Sequence, residues 1–223
     1  MKFTLSAFPI TAVALALASP SVMAQDLSYN YVQASYLSVD LDDTEVDADG
    51  FAMGVSAKVA DQVFVFAGYG TVESDSFTTF FGSGTVEVDT VTAGLGFINS
   101  LQPDTDLNLG LAFVRAKGAG TGDFSGSESE NGYSLSAQLR HLFSASFEGR
   151  AGIDYTDIGD DDDTSFEIGG VVFLGPQFGI DLSYSVGSDA DAWSAGLRLN
   201  FWVKRFPAAQ QLAGNRNPDR AEA

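Results

Sequence analysis

The sequence predicts an all-β fold: an up-and-down antiparallel transmembrane β-barrel of about ten strands, with eight as the alternative count. Three observations predict it. Segments in which apolar residues alternate with small, polar or charged ones recur along the chain after Ala24. Such two-faced strands suit a wall between lipid and a polar lumen. The connections between them alternate between short and long, as in a barrel with both ends on one side of a membrane. No apolar run after Ala24 is long enough for a membrane helix, whereas 24 glycines and 18 phenylalanines suit strands and aromatic girdles. An open sheet does not fit, because its edges would be unsatisfied in hydrocarbon.

Residues 1–24 read as a secretory signal peptide. Lys2 forms a short basic region, Ala7 to Ala18 an apolar one, and Val22-Met23-Ala24 precedes the expected cut. The barrel is expected over residues 25–201. Its first strand, Leu27–Ser38, is rich in tyrosine and ambiguous in phase. The second, Phe51–Val59, puts Phe51, Met53, Val55, Ala57 and Val59 on one face, and the third, Val63–Val72, does so with Val63, Val65, Ala67 and Tyr69. The fourth, Val86–Ile98, opposes Val91, Ala93, Leu95 and Phe97 to Thr90, Thr92, Gly94 and Gly96.

The fifth strand, Asp106–Lys117, alternates most clearly, with Leu107, Leu109, Leu111 and Phe113 against Asn108, Gly110 and Ala112. The sixth is Gly132–Phe143, the seventh Phe147–Asp157, the eighth Ser165–Leu174, the ninth Phe178–Val186 and the tenth Ala192–Phe201. Long external loops are expected at Val39–Gly50, Glu73–Thr85, Gly118–Asn131, Ile158–Thr164 and Gly187–Asp191. Residues 202–223, rich in Pro, Ala, Gln and Asn, read as a flexible periplasmic tail.

The net charge of −19 makes nucleic acid an unsuitable partner, since phosphate binding needs clustered Lys and Arg. The absence of cysteine removes disulfides, thiol chemistry and cysteine metal sites. The phase opposite the apolar one carries Arg140, Glu148, Arg150, Asp154, Glu167, Asp181 and Arg198. These are the candidate lumen residues, read first as a structural ion-pair network and second as the lining of a narrow pore. Asp40, Asp42, Asp43, Glu45, Asp47 and Asp49, and the run Asp160 to Asp163, make the external loops acidic. Divalent cations are candidate partners there, although the spacing is not that of an EF-hand, and no dedicated metal site or cofactor is expected. His141, the single histidine, falls in phase with Leu139 and Phe143 near a periplasmic turn. That is the wrong end and face for a general base, so no enzyme is expected.

Two resemblances add to this reading. The segment Ser194-Ala195-Gly196-Leu197-Arg198-Leu199-Asn200-Phe201 resembles the last-strand signal of bacterial outer-membrane barrels, carried here by Ser194, Gly196, Leu199 and Phe201. Asp26-Leu27-Ser28-Tyr29-Asn30-Tyr31-Val32, with the hairpin from Gly50-Phe51 to Gly70 and the Gly-x-Gly fourth strand, resembles small porin-like outer-membrane β-barrel proteins of Gram-negative bacteria. The resemblance implies an outer-membrane location, lipid and lipopolysaccharide as surroundings, and assembly by the barrel-insertion machinery. Such barrels usually end at the terminal aromatic residue, whereas residues 202–223 follow Phe201 here. The function implied is a porin-like narrow pore or a structural envelope role. The alternative is surface adhesion or recognition through acidic external loops.

Overall fold

The computed structural model describes residues 27–41, 46–79, 82–175 and 177–201. The expected signal peptide and tail therefore lie outside the described residues, as do Asp42, Asp43 and Glu45. Among the described residues there are twelve strands: β1 (Tyr31–Leu41), β2 (Asp47–Ala60), β3 (Val63–Ser74), β4 (Phe77–Thr79), β5 (Gly82–Gly84), β6 (Val86–Gln102), β7 (Thr105–Gly120), β8 (Gly126–Ser144), β9 (Phe147–Ile158), β10 (Asp161–Phe173), β11 (Phe178–Val186) and β12 (Ala190–Asn200). Ten of them close into a barrel in the order β1-β12-β11-β10-β9-β8-β7-β6-β3-β2, while β4 and β5 form a separate small hairpin. Every ladder is antiparallel, and the seam runs from Tyr31 opposite Asn200 to Leu41 opposite Ala190. The up-and-down ten-strand barrel expected from the alternation is thus present.

The alternation also sets the faces. On β7, Leu109, Leu111 and Phe113 are 48, 49 and 53% exposed, whereas Asp106, Asn108 and Ala112 are 4 to 5% exposed. The apolar phase points outward all round the barrel, with Phe51, Met53, Leu95, Leu135, Phe166, Ile168, Leu182 and Leu197 among its exposed side chains. This outward apolar belt is what a bilayer covers. Its distal rim carries tyrosines bonded to aspartates on the neighbouring strand: Tyr36 to Asp49 (2.5 Å), Tyr69 to Asp89 (2.6 Å), Tyr133 to Asp157 (3.3 Å) and Tyr184 to Asp191 (2.5 Å). A tyrosine at such a rim keeps its ring in hydrocarbon and its hydroxyl in the polar layer.

One end of the barrel, the terminal end, holds residues 27–30, Phe201 and the short turns at 61–62, 103–104 and 145–146. At the opposite, distal end the structure departs from the sequence reading. The stretches 118–131 and 158–164 are largely strand: β7 runs to Gly120, β8 starts at Gly126, and only Gly159 and Asp160 separate β9 from β10, whereas 187–189 do form a loop between β11 and β12. Gly159 has φ 65°, which favours glycine in so tight a turn. Asp40, Asp47, Asp49 and Asp161 to Asp163 likewise stand on strands and not in loops. Beyond a membrane both faces of a strand meet water, so the apolar alternation that marks a strand is lost there. The strands β6, β7 and β8 reach 17, 16 and 19 residues. About 9–11 residues suffice to cross hydrocarbon, so these three strands project as a sheet beyond the distal rim.

Candidate functional site: the lumen

The barrel interior is stacked in layers along the axis. Towards the distal end it is apolar: Leu37, Val39, Leu41, Ala48, Ala52, Val72, Val86, Val88, Ala190 and Ala192 form one buried cluster. A ten-stranded barrel is narrow enough for side chains to close it in this way. The first strand reads ambiguously for this reason, since its inward phase changes from Tyr31, Gln33 and Ser35 to Leu37, Val39 and Leu41.

The middle layer is ionic. Asp181 on β11 accepts both Nη1 and Nη2 of Arg150, at 2.7 and 2.9 Å, and Nη2 of Arg198 at 2.9 Å. The Nε of Arg150 also pairs with Glu167 on β10. Arg198 on β12 donates from Nε and Nη2 to Gln33 Oε1 on β1, at 3.1 and 2.8 Å, and its guanidinium lies 4.8 Å from the Tyr31 ring centroid. One continuous lattice therefore joins β9, β10, β11, β12 and β1. Nearer the terminal end, Arg140 on β8 pairs with Glu148 on β9 at 2.7 Å and lies 4.8 Å from the Tyr29 ring centroid. Asp154 does not join either group. Among the described residues its hydrogen-bond partners are the hydroxyls of Ser134 and Thr156.

The terminal end is closed by the segment that precedes β1. Tyr29 is 1% exposed, and its hydroxyl donates to Asp106 at 2.7 Å and Asn108 at 2.8 Å on β7. Its ring packs 5.1 Å from that of Phe64. Leu27 touches both the cluster around Phe64, Phe66 and Ile98 and the pair Val171 and Phe173, so it bridges opposite walls. Glycines on the wall make room for the rings: a Cβ at Gly96 would overlap Phe64, and one at Gly94 would overlap Phe66. A small cavity remains beside these rings, lined by Phe64, Phe66, Asn108, Ser136, Gln138 and Glu167 among others. Sequence reasoning places Tyr29 and Tyr31 in the family resemblance and on a tyrosine-rich first strand, but reads none of Tyr29, Tyr31, Gln33 and the two phenylalanines as a lumen residue. Their signal was a second apolar or aromatic phase on the first and third strands, which a reading tuned to polar lumens passes over.

The remaining candidates sit elsewhere. Ser194 is buried and shares a 2.8 Å hydrogen bond with Ser183, Gly196 lies against Ser35 across the seam, Leu199 is 48% exposed, and Phe201 donates its N–H to Asn30 at 3.1 Å. His141 bonds Thr105 through Nδ1 at 2.8 Å and meets Phe143 edge-on at the terminal end. Among the described residues, no group of three or more His, Asp and Glu is arranged to hold a metal ion.

The distal rim shows a further pattern. The register puts carboxylates directly opposite one another: Asp40 faces both Asp47 and Asp191, Glu73 faces both Asp49 and Glu87, and Asp157 faces Asp162. Like charges in such positions repel. Among the described residues, basic charge enters this collar only on β7, through Lys117 opposite Asp89 and Arg115 opposite Asn131.

No protein-family model matches the sequence, and no curated protein matches it as a relative. Solved structures do match. The transport unit of the autotransporter AIDA-I from Escherichia coli is similar with a TM-score of 0.52 at 11% identity, over 88% of this chain and 97% of that one. The translocator domain of the autotransporter NalP from Neisseria meningitidis gives 0.49 at 14% identity, over 86% and 93%. The KdgM porin in complex with disordered oligogalacturonate gives 0.44 at 10% identity, over 77% and 99%. At these identities the likeness is one of fold. The fold is that of outer-membrane β-barrel proteins, here closed by ten strands.

Proposed function

We propose that this chain is an outer-membrane barrel with a sealed lumen and a structural role in the envelope. The burial of the mid-barrel charges carries this reading: the paired side chains of Arg140, Glu148, Asp181 and Arg198 are all 0% exposed. Charges lining a water-filled channel keep their hydration, whereas these are ion-paired with one another, with Nη1 and Nη2 of Arg140 and one carboxylate oxygen each of Glu148 and Glu167 buried without a hydrogen-bond partner among the described residues. The apolar layer on the distal side and Tyr29 on the terminal side support the same conclusion. A porin-like pore would require the ionic lattice to part. The test is planar-bilayer conductance of protein refolded without residues 1–24, after heat-shifted gel mobility has shown it to be folded. The expected result is a folded barrel without stable channels. Reproducible channels whose selectivity changes in Arg198→Ala would replace this reading with the porin-like one.

The same proposal assigns the surroundings. Residues 1–24 direct export, the insertion machinery reads the strand bearing Ser194, Gly196, Leu199 and Phe201, and residues 202–223 lie in the periplasm with the terminal end. The distal collar then meets the lipopolysaccharide layer. Carboxylates facing phosphates need divalent cations between them, and the like-charged register of the collar favours the same ions. Unfolding in vesicles containing lipopolysaccharide should occur at lower urea when Mg²⁺ is chelated. An equal shift in phosphatidylcholine vesicles, or no shift in either, would remove the cation bridge from the proposal. The reading includes no catalytic step and no nucleic acid.

A further inference from the structure

The sheet projecting from the distal rim has one open edge. Gly126 to Asn131 of β8 pair with Gly120 to Arg115 of β7. On the other side β9 engages β8 only from Gly132, which lies opposite Ile158. The Gly159 N–H donates to the Asn131 carbonyl at 3.5 Å, so the polar backbone of Asn131 points to the β9 side. Alternation along an antiparallel strand turns the N–H and C=O of Ser129 and Ser127 the same way. Among the described residues no strand pairs with that edge. Directly beneath it lies the β9–β10 hairpin, where Gly159 approaches the carboxylate of Glu130 and Asp160 and Asp161 follow.

We propose that the Ser127–Asn131 edge of β8 accepts an extended basic segment of a partner protein or peptide as an added strand. Two features define the occupant. Unpaired backbone groups in register take an extended chain by main-chain hydrogen bonding. Glu128 and Glu130 with the acidic hairpin tip below them make the flank of that chain's path negative, so lysine- or arginine-bearing strands are preferred. A second copy is a poor occupant, because antiparallel pairing of two such edges would bring Glu128 and Glu130 against their equivalents. This inference goes beyond the sealed-lumen reading, and binding to the purified barrel does not depend on conductance or on membrane orientation.

The test uses the folded barrel in detergent micelles at physiological ionic strength. The probe is a short fluorescent peptide of alternating lysine and threonine, compared with the same peptide N-methylated along one edge. The unmodified peptide should bind, and N-methylation should weaken it about tenfold through the lost main-chain hydrogen bonds. Ser129→Pro, which removes an N–H from the open edge but none bonded to β7, should weaken the unmodified peptide by a similar factor. Glu128→Gln with Glu130→Gln should weaken it and flatten its salt dependence. If Ser129→Pro fails to fold, the two peptides on the unaltered barrel still decide. Equal binding of both peptides would reduce the contact to charge attraction and overturn the proposal, as would no binding of either. A barrel dimer that Ser129→Pro dissociates would also overturn it, since the edge would then be homotypic.

Discussion

At the scale of single residues, the lumen separates charges that are locked from charges that are only accommodated. Arg150 holds Glu167 and Asp181 together, and each of these groups is at most 1% exposed at its side chain. Removing the arginine leaves buried carboxylates without their cation. Arg150→Ala should therefore destabilise the barrel by about 3–5 kcal/mol, read as a lower urea midpoint in refolded vesicles. Asp154 gives the contrast. Its partners Ser134 and Thr156 are neutral hydroxyls, so Asp154→Asn should cost about 1 kcal/mol or less. Equal losses in the two variants would show that lumen charges act through packing volume and not through pairing.

Glu130 stands outside the membrane belt and titrates differently. Burial raises its carboxyl pKa, reinforced by Glu128, Asp161 and Asp160. A raised carboxyl pKa means the folded state resists the charged form, so Glu130 opposes folding above its folded pKa and stops doing so once protonated. Glu130→Gln should accordingly raise the unfolding midpoint at neutral pH, and the advantage should vanish as pH falls through the ordinary carboxylate range. A gain that persists in acid would assign the effect to something other than charge. The same substitution is expected to weaken partner binding at the β8 edge.

At the scale of elements, glycines shape the wall to its filling. β6 is smooth on its inner face at Gly94 and Gly96 because Phe66 and Phe64 of β3 lie across it. Gly96→Ala should cost about 1–3 kcal/mol by overpacking, and Phe64→Leu should recover part of the loss in the Gly96→Ala background. Unfolding midpoints of the three variants check this, and additive losses would exclude direct contact as the cause. The elements were legible in sequence to unequal degrees. β7 showed its lipid face plainly, because leucines and a phenylalanine alternate with aspartate, asparagine and glycine. The outer portions of β7, β8 and β10 look like loops in the sequence, because strands wetted on both faces carry serine, glutamate and aspartate and lose their periodic signal. The lumen charges stood out as polar residues in the inward phase. Their partners did not, because which arginine meets which carboxylate depends on stagger around the barrel, a property of the closed sheet and not of any one strand.

At the scale of the whole molecule, the interior is layered along the barrel axis, and the proposed sealed lumen rests on that layering. An apolar layer, an ionic lattice and an aromatic closure follow one another between the two ends. Each uses a different interaction to exclude water, so opening one leaves the others in place. That redundancy is why the absence of conductance is the expected behaviour, and why widening the lumen would take more than one substitution. The outside is graded as well, from a hydrocarbon belt through bonded tyrosines to a carboxylate collar and a projecting sheet.

The seam between β1 and β12 gives the molecule a further property. It is fastened from both sides: Gln33 and Arg198 clasp it within, Tyr36 and Trp193 pack 5.6 Å apart across it outside, and Asn30 and Phe201 are bonded at its base. The first and last strands of the barrel are therefore joined over 11 paired positions and by contacts on both faces. Mechanically the barrel is a hoop, in which load on any stave is passed round the full circumference, the join between the two ends included.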